Sequence, residues 1–396
     1  MRIMLANPSR MAGHAGGVQK VCSAFANEMT RRGHEVCVVY SDENTGPFFY
    51  PVDSRVLAVN LNVREDGSVI RFPLHLKAAR EVLRGIDKRR ARAVNDWFQS
   101  HSLIGNARKA ITDFRPDVIV SYTLAASRLL LCDIATKIPV ITMSHGDPED
   151  YFRTYPVKEL PALGLSAANQ VLMPSFEKAI RSRFPEAKTV TIGNAIPQFD
   201  FAADLEKEKP EHKVVFVGRL TRGHKRPHLL IEAFGKIAKQ HPGWILELWG
   251  PKDREPYYQE LASLIKKHGL EGRAFLKGPT DDVPSVLKVA DLFAFPSAFE
   301  GFGMAVAEAM SAGLPAVAFR SCPAVNELIE DGKTGFLCGD GADELALALD
   351  ALMSDTALRA RMGRAAKAAM AEFAPERIWD RWEKLLAETV RNPGAS

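Results

Sequence analysis

The chain lacks most of the features that assign a protein to a class at a glance. Its five cysteines, Cys22, Cys37, Cys132, Cys322 and Cys338, are odd in number, widely spaced and form no C-x-x-C pair. A disulfide framework and a zinc knuckle are therefore excluded, and free thiols in a reducing compartment are expected. No apolar run approaches the roughly 18 residues of a bilayer-spanning helix. The opening residues 1–8 end their short apolar run at Pro8 and show no signal-peptide h-region, so a cytoplasmic location is expected. Charge of one sign is also missing: 52 Lys and Arg stand against 48 Asp and Glu, and a net +4 is too mild to imply nucleic acid.

What is present suits a large globular α/β protein. With 396 residues, 46% of them hydrophobic, the chain can build two cores. Short β-rich runs at 2–6, 35–40, 117–122, 139–143, 170–173 and 189–192 alternate with helical patterns. A second series begins at 213–217 and continues at 244–249, 273–277, 292–295 and 315–319. Such alternation predicts parallel sheets covered by helices, here two doubly wound, Rossmann-like domains with the ligand between their carboxyl strand ends. Residues 197–212, charged and without apolar periodicity, read as the linker. The expected division is 1–196, 197–374, and a terminal amphipathic helix at 375–396. Ile378, Trp379, Trp382, Leu385 and Leu386 lie at helical spacing there and are expected to pack back on the first domain.

Two loops carry candidate chemistry. Ser297-Ala298-Phe299-Glu300-Gly301-Phe302-Gly303-Met304 leaves a strand and opens a helix, so free backbone amides meet a positive helix end, an arrangement suited to a diphosphate. Glu300 precedes that helix and Glu308 lies inside it, on the order of 10 Å away at about 1.5 Å per residue. Taken singly, either glutamate is an ordinary solvated side chain; together with the glycines they can hold the two ends of a ligand. Gly301-x-Gly303 also begins a dinucleotide fingerprint. However, Val306 takes its third position, and Cys322 stands where a ribose-binding acid would fall, so a nicotinamide enzyme ranks last. The other loop, Gly218-Arg219-Leu220-Thr221-Arg222-Gly223-His224-Lys225, puts Arg219 and Lys225 at a strand's carboxyl end, where cations can neutralise a leaving phosphate.

These segments, with the early Gly16-Gly17 pair and Ala309-Met310-x-x-Gly313-Leu314-Pro315, resemble the retaining glycosyltransferases of family 4, whose fold is GT-B, two Rossmann-like domains facing each other across a cleft. The likeness is strongest over residues 214–339. It implies that Glu308 binds the nucleotide ribose and Glu300 the donor sugar. Gly218 and the amides around Gly301, Phe302, Gly303 and Met304 would receive the diphosphate, with Arg219 and Lys225 compensating its charge. Gly16 and Gly17 would admit acceptor and phosphate; the family often has an acidic residue shortly afterwards, where Val18 and Gln19 stand here. His145, after a strand, resembles the family histidine that reaches the donor sugar, and Asn194 marks a hinge. No Asp-x-Asp lies near these positions, so neither a metal nor another cofactor is expected.

Residues 71–109 hold ten basic residues against three acidic ones, interleaved with Leu74, Leu76, Val82, Leu83, Ile86, Val94, Trp97 and Phe98. This reads as one basic helical stretch, either a solvated face or a contact with anionic lipid or a lipid-linked acceptor; nucleic acid is the weakest reading. The expectation is transfer of a hexose or N-acetylhexosamine from a nucleoside diphosphate sugar, a UDP-sugar first, to a lipid-linked glycan. The setting would be surface polysaccharide or lipopolysaccharide assembly at the cytoplasmic face of the inner membrane. A soluble-acceptor transferase and a non-catalytic glycan-binding scaffold remain as alternatives.

Overall fold

The computed structural model describes residues 1–13 and 16–392. The chain forms two compact units, Met1–Gly193 joined by the chain from Trp379 onward, and Asn194–Ile378. The first unit contains strands β1 (Arg2–Asn7), β2 (Glu35–Tyr40), β3 (Leu57–Asn60), β4 (Val118–Ser121), β5 (Val140–Met143), β6 (Ala168–Val171) and β7 (Thr189–Thr191). They make one parallel sheet in the order β3-β2-β1-β4-β5-β6-β7. Leu5 in β1 pairs with Val38 on one side and Val120 on the other. Such strands are covered on both faces, which is why they read as continuous apolar runs rather than alternating ones.

The second unit repeats the plan with β8 (His212–Val217), β9 (Trp244–Trp249), β10 (Ala274–Gly278), β11 (Leu292–Phe295), β12 (Ala316–Phe319) and β13 (Gly335–Cys338), in the order β10-β9-β8-β11-β12-β13. Two strands have no counterpart among the sequence expectations. β3 is a sheet edge with Leu57 and Ala58 exposed, so it lacks an apolar run. β13 opens on Gly335, where a Cβ would lie 2.1 Å from the Ala316 carbonyl oxygen; close approach of two backbones demands a residue that weakens the strand pattern.

Residues 197–211 are not a loose tether. Ala203 and Leu205 are buried, the Ala203 N–H donates to the Ala312 carbonyl at 2.8 Å, and Lys367 Nζ donates to the Phe199 carbonyl at 2.8 Å. These are mostly backbone contacts, which leave no side-chain periodicity to read.

The basic run is likewise not one helix. Asp87 adopts extended backbone and accepts from the Arg89 N–H at 2.7 Å, dividing the helix Leu74–Ile86 from the helix Lys88–Phe98. A π-helical turn and the helix Ile104–Phe114 follow. Phe98, Leu103 and Phe114 enter the core, whereas Leu74–Ile86 buries no residue at all.

The helix Pro375–Arg391 supplies the first unit with Trp379 and Trp382, which meet the Phe25 ring edge-on at 5.7 and 5.0 Å. Arg32 donates to Asp380 and Glu383 at 2.7 and 2.8 Å alongside. Trp382 is 2% exposed, so Trp382→Ala is expected to destabilise this unit by about 3 kcal/mol or more. An unchanged urea-unfolding transition would show that the helix is not part of that core.

Candidate active site

In the second unit the strand order reverses between β8 and β11, a switch point of the kind at whose carboxyl strand ends open α/β sheets form a ligand-binding crevice. Both candidate loops lie there. The loop after β8 delivers Lys225, whose Nζ donates to Glu300 Oε1 at 2.5 Å from the loop after β11. The same oxygen accepts from Ser297 Oγ at 2.6 Å and lies 3.4 Å from His224 Nε2. Lys225 also stands 4.6 Å from the centre of the Phe295 ring, so the ammonium is partly desolvated and held by a carboxylate and a π face together.

Burial by itself would raise the Glu300 pKa, but the His224 contact, the Lys225 charge and hydrogen bond, and the Ser297 hydroxyl outweigh it. They hold the carboxyl below its ordinary range, and it is anionic at neutral pH. His224 lies flat on Phe299, with centroids 4.2 Å apart and planes at 3°. Its Nε2 is 2.8 Å from the Phe299 carbonyl, an atom that can only accept, so this nitrogen carries the proton. Among the described residues, the exposed Arg219 has no side-chain partner, which leaves it as an uncompensated cation on the loop after β8.

Arg226 binds the two loops together. Its Nε donates to the Pro296 carbonyl at 3.0 Å and its Nη2 to the Ser297 carbonyl at 3.1 Å, while its backbone sits in the left-handed region at φ 49°. That conformation costs about 1–3 kcal/mol for a non-glycine residue and persists only where the surroundings over-determine it. His224 and Ser297 lay inside the expected loops, but nothing local marked them as partners of Glu300.

Gly303 precedes the helix Met304–Ser311 at φ 89°, and a Cβ there would come within 2.8 Å of Val325 Cγ2. The first-turn N–H groups, beginning with Met304, have no intrahelical acceptor; Gly301, Phe302 and Gly303 lie on the loop that leads into this turn. The Phe302 ring turns inward against Phe373 at 5.2 Å, leaving only its backbone for a ligand. Glu308 is half-buried within the helix.

In the first unit, Gly16 caps the helix Gly17–Arg31 with extended backbone, and Gln19 Nε2 donates to the Arg10 carbonyl at 3.0 Å, tying the helix to the loop after β1. His145 follows β5. Its N–H donates to Tyr151 Oη at 3.2 Å, and its ring stacks on Tyr122 at 5.5 Å. Its Nε2 is shielded from solvent and has no partner among the described residues, and burial pushes its pKa down to about 4, so the imidazole is neutral at pH 7. Among the described residues, no three of His, Cys, Asp and Glu group as a metal ion would require.

A crevice of backbone donors, two cations and a buried carboxylate at a strand-order reversal defines a nucleotide- or phosphate-handling α/β enzyme. Residues 15–197 match the family described as Glycosyltransferase Family 4, and residues 198–369 match Glycosyl transferases group 1. The two matches abut, and the chain belongs to the family 4 glycosyltransferases, transferases with the GT-B fold. An uncharacterized glycosyltransferase of Haemophilus influenzae is 24% identical, with 94% of this chain and 97% of that protein aligned. The amylovoran biosynthesis glycosyltransferase AmsD of Erwinia amylovora is 25% identical over 94% of this chain and 96% of its own. Among solved structures, Anabaena HepE in complex with UDP superposes with a TM-score of 0.72 at 22% identity, covering 98% of this chain and all of that one.

Proposed function

We propose that this transferase moves a hexose or N-acetylhexosamine from a UDP-sugar, with retention of configuration, to a hydroxyl of a lipid-linked glycan. The pathway would be surface polysaccharide or lipopolysaccharide assembly at the inner-membrane face. The observation that carries the donor side is the convergence of Arg219, the Lys225–Glu300 pair and the Gly303 helix start on one crevice. The diphosphate would sit on the first-turn amides, Glu308 on the ribose hydroxyls and Glu300 on the sugar. As the C1–O bond to phosphate breaks, Arg219 and Lys225 would neutralise the departing oxygen. That oxygen then takes the acceptor hydroxyl proton, and the new C1–O bond forms on the face from which the phosphate left. The site calls on no metal, because cations and helix amides cover the charge.

The acceptor side is supported by the helix Leu74–Ile86, where Leu74, Val82 and Ile86 are 81%, 66% and 73% exposed beside clustered basic residues. Trp97 adds a further exposed aromatic on the next helix. No helix among the described residues is long and apolar enough to cross a membrane, so contact would be peripheral. The AmsD relative, named for amylovoran biosynthesis, supports a glycan setting. Two measurements test the reading. Calorimetry in chelator should find UDP bound in preference to GDP and ADP. Sedimentation with phosphatidylglycerol vesicles at low salt should capture the protein and fail for Leu74→Ser/Val82→Ser/Ile86→Ser. Absence of vesicle binding in the parent protein would favour a soluble acceptor.

A further inference from the structure

Four basic side chains do not all belong to the lipid-facing surface. Arg10, Arg71, Lys77 and Arg80 line two cavities of about 410 and 220 Å³ in the first unit, and the pair share Arg10, Arg80, Glu43 and Phe72 as common walls. Their combined size falls in the range of small-molecule sites. Arg10 lies on the loop after β1 and Glu43 on the loop after β2, so the cavities open at the carboxyl edge of the sheet, where open α/β sheets hold ligands.

Charge in these cavities is unbalanced. Among the described residues, Arg10, Arg71 and Lys77 make no side-chain hydrogen bond or ion pair. Arg80 is fixed by Asn95 Oδ1 at 3.2 Å and Glu81 Oε1 at 2.9 Å, with its guanidinium 5.3 Å from the centre of the Phe72 ring. Among the described residues Glu43 is the single carboxylate in the lining, and its Oε1 accepts from the Phe72 N–H at 3.0 Å. Three unpaired cations around a concave space repel one another and are relieved by an anion, which a guanidinium grips in fork geometry.

Helix geometry separates this cluster from Val82 and Ile86, although Leu74 shares the larger cavity with Lys77. At about 100° per residue, Lys77 and Arg80 lie roughly opposite Val82 and Ile86 around the helix Leu74–Ile86.

We propose that the cavities lined by Arg10, Arg71, Lys77 and Arg80 bind an acidic group of the acceptor, a phosphate or carboxylate, with Phe72 beneath the adjoining sugar ring. The inference rests on the transferase reading for the word acceptor, but not for the anion site itself. Calorimetry on the full chain tests it, with the donor crevice saturated by UDP and the probes glucose 1-phosphate, short-chain phosphatidic acid below its micelle concentration, and neutral methyl glucoside. Both phosphate probes should bind more tightly than methyl glucoside, and Arg71→Gln/Lys77→Gln should weaken them tenfold or more while UDP affinity stays unchanged. The tighter of the two phosphates identifies the source, sugar or lipid. Undiminished phosphate binding in the double variant, or methyl glucoside binding equally well, overturns the proposal. If UDP fails to bind while the phosphate probes still bind and are lost in the double variant, the anion site stands and the functional reading falls.

Discussion

Arg219→Ala is expected to lower kcat by about 10²–10³ while changing the donor KM by less than about tenfold. An interaction that strengthens as charge develops on the leaving oxygen is lost from the transition state more than from the bound substrate. Arg219 is exposed and unpartnered among the described residues, so its removal creates no buried unpaired charge and the fold should be untouched. Lys225→Ala should cost as much or more in turnover, but it also strips Glu300 of its 2.5 Å partner. Agreement between the two variants in kcat, with a stability loss confined to the second, is the expected pattern. Loss of donor binding equal to loss of turnover in Arg219→Ala would show that the guanidinium serves only ground-state binding.

Glu300→Ala is expected to destabilise the second unit by about 3–5 kcal/mol, because it leaves Lys225, 16% exposed, without its counter-ion. Glu300→Gln keeps the volume and the Ser297 hydrogen bond and should cost less stability, yet still depress turnover. The pH dependence separates charge from shape. The folded-state pKa of Glu300 is lowered, so its contribution is complete above the ordinary carboxylate range and is lost as pH falls through the depressed value. Glu300→Gln should remove that part of the acid limb of the stability profile. An acid limb identical to that of the parent would mean that the Lys225–Glu300 pair adds nothing to folding.

The two loops of the crevice were legible because their chemistry is local. A glycine-rich turn between a strand and a helix predicts amides and a dipole wherever it occurs, and Glu300, Arg219 and Lys225 fall within a few residues of the strands that carry them. What links the loops was hidden. Arg226 reaches Pro296 and Ser297 across 70 positions of sequence, and His224 meets Glu300 across a similar gap; no periodicity records such pairs. The central strands were legible because burial on both faces demands continuous apolar runs, whereas β3 and β13 failed that rule as an exposed edge and a glycine-led strand. The basic run misled in another way: its charge suggested a single helix, but the break at Asp87 depends on one side chain capping the next helix.

Release of nucleoside diphosphate from a panel of UDP-, GDP- and ADP-sugars, in chelator and with or without membrane lipid extract, tests the central claim most directly. The account predicts release from a UDP-sugar that rises with the extract and falls about 10²–10³-fold in Arg219→Ala. No release from any donor under any of these conditions would contradict it and leave the crevice as the binding site of a non-catalytic scaffold.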